Sequence, residues 1–434
     1  MNTIALIVAF AAVVVLLIMR MPVVFAFGIV GFFGLCYLQG FNKACTVLYT
    51  VPFSSISGYT WSALPLYCLF GYLAYNTRLT EDFFSGVRSW LGHVRGGMLH
   101  AIIVGNAAFG ACCGVSLAAA SSFTAISLPE CRKYGYDDHV VLGTIAGSCT
   151  LSMLIPPSTG LIMYGCLTTT SISELFIAGV IPGIIQVILF MGVAVFIAVR
   201  HPEKVPMSPK ATVKERLSGI VKMSYLVIIF GVIIGGLYIG WFTPTEGAGV
   251  GAFLILILGV VRRRLTWEGI KASLIATVEM AAVTLLLLAG TQLFNSFLTL
   301  AGFSTMLINA VKAIASSGTT FLIIVAIMMI ILGMFIDVAP LTILLVPLLY
   351  PIATSYGINA IQFGVLFTLL GSVGTISPPF GIVTYSLARM VPEARLMQIF
   401  KKSIPYLAMM LVLIVLLIFI PDITLALTSG MKAA

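Results

Sequence analysis

The sequence predicts an all-α polytopic membrane protein made of two inverted-topology repeats, each with a re-entrant helical hairpin and a Pro-Pro-broken helix. Three observations carry this. Of 434 residues, 60% are hydrophobic and 9% charged, against roughly 25% charged in a soluble domain. Apolar runs able to cross a hydrocarbon core of about 30 Å recur along the chain, most clearly at 3–19, 23–38, 178–199, 223–240, 272–294 and 403–420. Finally, LIPPSTG at 154–160 returns as TISPPFG at 375–381, each within an apolar segment.

Residues 1–21 read as an N-terminal transmembrane helix. No basic residue precedes this run and Arg20 follows it, the wrong polarity for a cleaved signal peptide. The first repeat spans 22–200, a cytoplasmic basic loop and linking helix span 201–243, the second repeat spans 244–422, and 423–434 form a C-terminal tail. Alternating the spans from an outside N-terminus places all but three of the 23 Lys and Arg (Lys43, Lys312 and Lys432) on one side. That is the positive-inside pattern. Both termini are therefore expected to be external, periplasmic in a Gram-negative inner membrane. The net charge of +9 is a topology signal and implies lipid, not nucleic acid, as surroundings.

The repeat is visible in register. Adding 222 carries Pro22 to Pro244, Pro129 to Pro351, Pro156 to Pro378, Pro157 to Pro379 and Tyr134-Gly135 to Tyr356-Gly357. An odd number of crossings separates the copies, which makes them inverted, as in many secondary transporters. The broken helices are placed at 139–168 and 361–390. Segments 98–129 and 320–351 are too polar midway for one span, with tips near GACCGVS (110–116) and GMFID (333–337). Each limb of about 15 residues would cover about 22 Å, short of the core, so both are expected to be re-entrant hairpins. Amphipathic stretches at 81–97 and 303–319 precede them and read as arms along the interface.

A proline pair denies the backbone its helical hydrogen bonds, and broken backbone is tolerated in lipid only where protein or a polar cavity surrounds it. Four discontinuities meeting at the midplane offer carbonyls to a cation and helix N-termini to an anion. Pro156, Pro157, Ser158, Thr159, Pro378 and Pro379 are thus candidate substrate contacts. Ser148, Thr150, Ser372, Thr375 and Ser377 are hard oxygen donors, suited to Na⁺.

The run IPPSTGLIMYGCLTTTSISELFIAGVIPG at 155–183 resembles the large membrane subunit (DctM-like) of tripartite ATP-independent periplasmic (TRAP) transporters. FTPTEGAG at 242–249, GMFID at 333–337 and SPPFG at 377–381 match further motifs in order. The resemblance covers nearly the whole chain. It implies Na⁺-coupled uptake of a small organic anion, an elevator mechanism with a scaffold and a transport domain, a small four-helix membrane subunit and a periplasmic substrate-binding protein. The chain departs from the family at the first hairpin, where Cys113-Gly114-Val115 replaces the usual Ser-Gly-Ser, and at Ser148-Cys149, where two serines are usual. Either backbone carbonyls at Cys113 and Gly114 carry that cation site, helped by Ser116 and Thr150, or it is weakened. Gly333, Asp337, Thr375 and Ser377 supply the second site. Val383 stands where Asn is common.

Asp337 is the acid most clearly inside the membrane, where such groups are functional by default; it is expected to meet Na⁺ or to cap a half-helix. Glu246 reads as a helix cap and Glu279 as structural. Arg389 is a substrate candidate about 15 Å along a helix from Pro379. The eight cysteines and four histidines show no metal-ligand spacing. No HExxH, paired intramembrane aspartates or Walker motif is present, so neither an enzyme nor an ATPase is indicated. A stand-alone Na⁺/anion symporter of related architecture is the nearest alternative.

Overall fold

The structure, a computed structural model, describes residues 3–430, and every regular element among them is helical. Lys432 and the end of the expected tail lie outside the described residues. Helices α1 (Thr3–Ile18), α2 (Val23–Gln39), α3 (Phe41–Ile56) and α4 (Ala63–Asn76) lead into a short amphipathic α5 (Leu79–Leu91). The pair α6 (Gly97–Cys113) and α7 (Ser116–Lys133) follows, then α8 (Asp138–Ser148), α9 (Leu151–Leu154), α10 (Thr159–Thr168) and α11 (Ile172–Arg200). The second half comprises α12 (Val213–Ile239), α13 (Pro244–Val261), α14 (Trp267–Leu300), amphipathic α15 (Phe303–Ile314), α16 (Gly318–Gly333) and α17 (Val338–Ser355). It ends with α18 (Ala360–Ile376), α19 (Ile382–Met390), α20 (Leu396–Phe419) and α21 (Asp422–Leu425). Among the described residues, seven helical segments are long and apolar enough to span a membrane, or eight if the pair around 315–317, bent by 108°, is one span.

Local chemistry accounts for many of these ends. Asp137 and Asn359, 222 positions apart, cap α8 and α18 by accepting from His139 N at 2.9 Å and Ile361 N at 2.8 Å. Such caps satisfy backbone donors that the first turn leaves unpaired. Gly135 and Gly357 end α7 and α17 at φ +76° and +71°, a left-handed geometry that glycine adopts freely. Glu246 forms the expected cap: with Thr243 it closes a capping box ahead of α13.

Two differences from the sequence expectations concern length. The paired helices run 97–133 and 318–355, not 98–129 and 320–351, because α7 and α17 continue through Pro129 and Pro351. Their limbs have 17, 18, 16 and 18 residues, so the length argument for re-entrance weakens; α17 alone is long enough to cross. The first broken helix is also interrupted twice. A turn at Cys149-Thr150 divides α8 from α9, whereas α18 is continuous over the matching positions.

Packing separates two groups of helices. α14 lies against α2, α3 and α4, with α13 beside α4; α20 lies against α8, α11 and α18, with α16 beside α18. The broken segment 138–168 is 94% buried over its most apolar window, compared with 28% for α14. Its interrupted backbone therefore lies in protein, as the lipid environment demands. Asp82, at the start of α5, has a side chain 8% exposed and sits 2.5 Å from Arg262 Nη1 and 2.7 Å from Arg264 Nη1. It fastens α5 to the turn after α13.

Removing one member of a buried ion pair strands the others. Asp82→Ala is expected to destabilise the fold by about 2 kcal/mol, between the values for exposed and fully buried pairs, because both arginines reach solvent. Thermal unfolding in detergent measures this, and an unchanged midpoint would show that the pair is ornamental.

Candidate functional site

The site is built where helix breaks meet hairpin tips. In the first half the helix stops at Leu154 and resumes at Thr159, with a cis bond between Pro156 and Pro157. Ser158 caps α10: its Oγ accepts from Leu161 N at 3.4 Å and donates to Met153 O at 2.5 Å. The Thr159 hydroxyl donates to Gly114 O, at the tip between α6 and α7, at 2.6 Å. Gly114 has φ +62°, and a Cβ there would lie 2.9 Å from Thr159 N and 3.1 Å from Pro157 O. Only glycine lets this tip reach the break.

The second half reaches the same end by different contacts. A Cβ on Gly374, near the end of α18, would fall 2.4 Å from the Gly333 carbonyl carbon at the end of α16. The tip's Phe335 lies on Phe380 of the second break, ring centroids 4.6 Å apart. Thr375 Oγ1 donates to Ser372 O at 2.7 Å and Ser377 Oγ to Val373 O at 2.8 Å. Both hydroxyls keep lone pairs free to accept or coordinate. Across the halves, α10 packs on α17 and α19 on α7. Each half's broken helix thus packs on a hairpin helix of the other half.

Asp337 occupies the N-cap position of α17, yet its side chain makes no cap hydrogen bond. Of its two expected roles, the capping one is not realised. Arg389 is exposed on the last turn of α19, away from the breaks. Ser148 and Thr150 are fully buried but face other helices: Ser148 Oγ accepts from Asn106 Nδ2 at 2.7 Å, and Thr150 Oγ1 accepts from Gln186 Nε2 at 3.1 Å. Ser116 lies 3.4 Å from Ser152 Oγ. The thiols of Cys113 and Cys149 turn to the carbonyls of Val115, at 3.6 Å, and Ala146, at 3.1 Å. Val383 is buried.

Asn106, Gln186, Ser152, Phe335 and Phe380 escaped the sequence reading. Asn106 and Gln186 are completely buried, and each leaves its amide oxygen without a hydrogen-bond partner. An unpaired acceptor in this setting is costly. Each is a lone amide in an apolar run, the signal that marks intramembrane polar residues as functional. Among the described residues, no three His, Cys, Asp or Glu side chains gather as a metal set.

The described residues form an all-helical bundle with paired breaks. It superposes on the Alcanivorax borkumensis YdaH transporter with a TM-score of 0.63, covering 87% of this chain and 88% of that one at 14% identity. Residues 10–423 match the model of the tripartite ATP-independent periplasmic transporter, DctM component. The chain belongs to that family, as a large membrane subunit. It is 31% identical over 415 residues to the sialic acid TRAP transporter large permease SiaM of Vibrio cholerae, covering 95% of this chain and 96% of that protein. The C4-dicarboxylate TRAP transporter large permease DctM of Pseudomonas aeruginosa is 28% identical, covering 90% and 93%. The sialic acid TRAP transporter permease SiaT of Haemophilus influenzae is 34% identical over 85% of this chain, which spans 60% of that longer protein.

The glycine contact yields a direct test. Gly374→Ala must displace α16 or α18, and overpacking of this kind costs about 1–3 kcal/mol. Gly231→Ala, where nothing lies within 4 Å, is expected to be neutral or slightly stabilising. Equal melting temperatures for the two variants in detergent would contradict the close packing of tip and break.

Proposed function

We propose that this chain carries a small organic anion into the cell together with Na⁺, as the large subunit of a tripartite uptake system in the bacterial inner membrane. The observation that carries the reading is the seating of each hairpin tip on a helix break, at Gly114–Thr159 and at Gly333–Gly374. Freed carbonyls and hydroxyls there provide oxygen ligands for Na⁺, and the starts of α10 and α19 provide positive dipole ends for an anion. We assign the first cation position to Cys113, Gly114, Ser116, Ser148 and Thr150, with the Asn106 oxygen as an added ligand. Gly333, Asp337, Thr375 and Ser377 surround the second.

In this reading the two halves are inverted repeats with both termini periplasmic. The hairpins and broken helices slide as one block against a scaffold that includes α2–α4 and α12–α14, while α5 and α15 serve as arms. A soluble binding protein delivers substrate and a small four-helix subunit completes the membrane part. The tripartite family favours this over a stand-alone symporter. Relatives named for sialic acid and C4-dicarboxylates support a carboxylate-bearing substrate.

Asp337→Asn is expected to cut Na⁺-driven uptake strongly and to raise the half-saturating Na⁺ concentration, because the carboxylate offsets desolvation of the cation. Proteoliposomes containing all subunits under an imposed Na⁺ gradient provide the assay. An unaltered Na⁺ dependence would assign Asp337 to structure alone. For topology, cysteines placed at Lys210 and Arg263 in a background cleared of reactive thiols are expected to resist an impermeant reagent in intact cells. One at Lys312 is expected to react, and labelling at 210 from outside would overturn the orientation.

A further inference from the structure

Away from the breaks, α5, α12 and the loop before α12 enclose a polar cleft of about 520 Å³. Lys214, Ser218 and Lys222 line it from α12 at four-residue intervals, which places them on one face of that helix. Ser85 and Ser89 face them from α5, and Lys210 closes the loop side. The walls are held together closely. A Cβ on Gly219 would lie 2.3 Å from Ser89 Oγ and 3.2 Å from Gly86 O, and Trp90 Nε1 donates to Arg216 O at 3.1 Å.

The charge in this cleft is unbalanced. Arg88 is engaged by Glu130 at 2.8 Å. The Glu215 carboxylate is turned to Thr212, accepting from its backbone N at 2.7 Å. Among the described residues, no carboxylate oxygen comes within 4.0 Å of the Lys210, Lys214 or Lys222 ammonium. Lys222 Nζ instead donates to Ser85 Oγ at 3.3 Å. Three lysines and several serines lining one concave site, with Lys222 Nζ already on a hydroxyl, match a phosphate group, whose oxygens accept from lysine as a point charge. A site of this kind on the basic face of a membrane protein also matches the headgroups of anionic lipids.

We propose that this cleft binds a phosphate group, either that of an anionic phospholipid or that of a free phosphorylated solute, between α5 and α12. Occupancy would tie the arm to the linking helix by charge as well as by packing. The proposal does not depend on the transport reading.

The full-length protein in phosphatidylcholine nanodiscs distinguishes the two sources. In one arm phosphatidylglycerol is added and the retained lipid is counted by native mass spectrometry; in the other, inorganic phosphate is titrated calorimetrically. Lys214→Gln with Lys222→Gln is expected to lower retention or phosphate affinity at least five-fold, and Lys210→Gln, in the loop and outside the helix, by a smaller factor. Lys401→Gln, a basic residue outside the cleft, is expected to leave both unchanged. Loss in the lipid arm alone assigns a headgroup; loss in the phosphate arm assigns a soluble ligand. Equal binding by wild type and double variant in both arms, or an equal loss in Lys401→Gln, overturns the site.

Discussion

Everything in the central region depends on satisfying backbone that two proline pairs have set free in a place with little water. A carbonyl or N–H left unpaired there costs several kcal/mol, so each break needs neighbours that bring donors or exclude lipid. The chain provides them at close range. The Ser158 hydroxyl donates a hydrogen bond to Met153 O, the Thr159 hydroxyl donates one to Gly114 O at the first hairpin tip, and glycines bring the second tip against its break without intervening side chains. The hairpins are thus the means by which the breaks can exist at all.

The two halves solve this problem with different chemistry. Thr159 has Gly381 as its counterpart 222 residues on, and Asp337 has Val115. A hydroxyl–carbonyl bond holds one tip, while a glycine pair and two phenylalanines hold the other. The breaks recur 222 residues apart, although the contacts that hold them do not.

The paired plan was legible because proline and glycine act locally. Pro156-Pro157, Pro378-Pro379 and Tyr-Gly at 134 and 356 mark ends that the backbone must obey whatever surrounds them, and the structure breaks or turns at each. The partners of those ends were less legible. Asn106 meets Ser148 across two helices and Gln186 meets Thr150 from α11, contacts set by three-dimensional packing and not by spacing. Asp337 shows the limit from the other side: its position at the start of α17 was readable, but its side chain makes no cap bond there. Pro129 and Pro351 mark no ends, because both lie inside continuing helices.

One surface cluster breaks the likeness of the halves in another way. Arg132, at the end of α7, reaches Asp138 Oδ2 at 2.6 Å and Glu393 Oε2 at 3.1 Å, joining residues from opposite copies. The positions that a faithful duplication would use at the opposite end are Thr354, Ala360 and Ser171, and none carries charge. These exposed ion pairs therefore have no equivalent at positions 171, 354 and 360. Raising ionic strength screens exposed charges, so added salt weakens the tie that Arg132 makes between α7, α8 and the segment after α19.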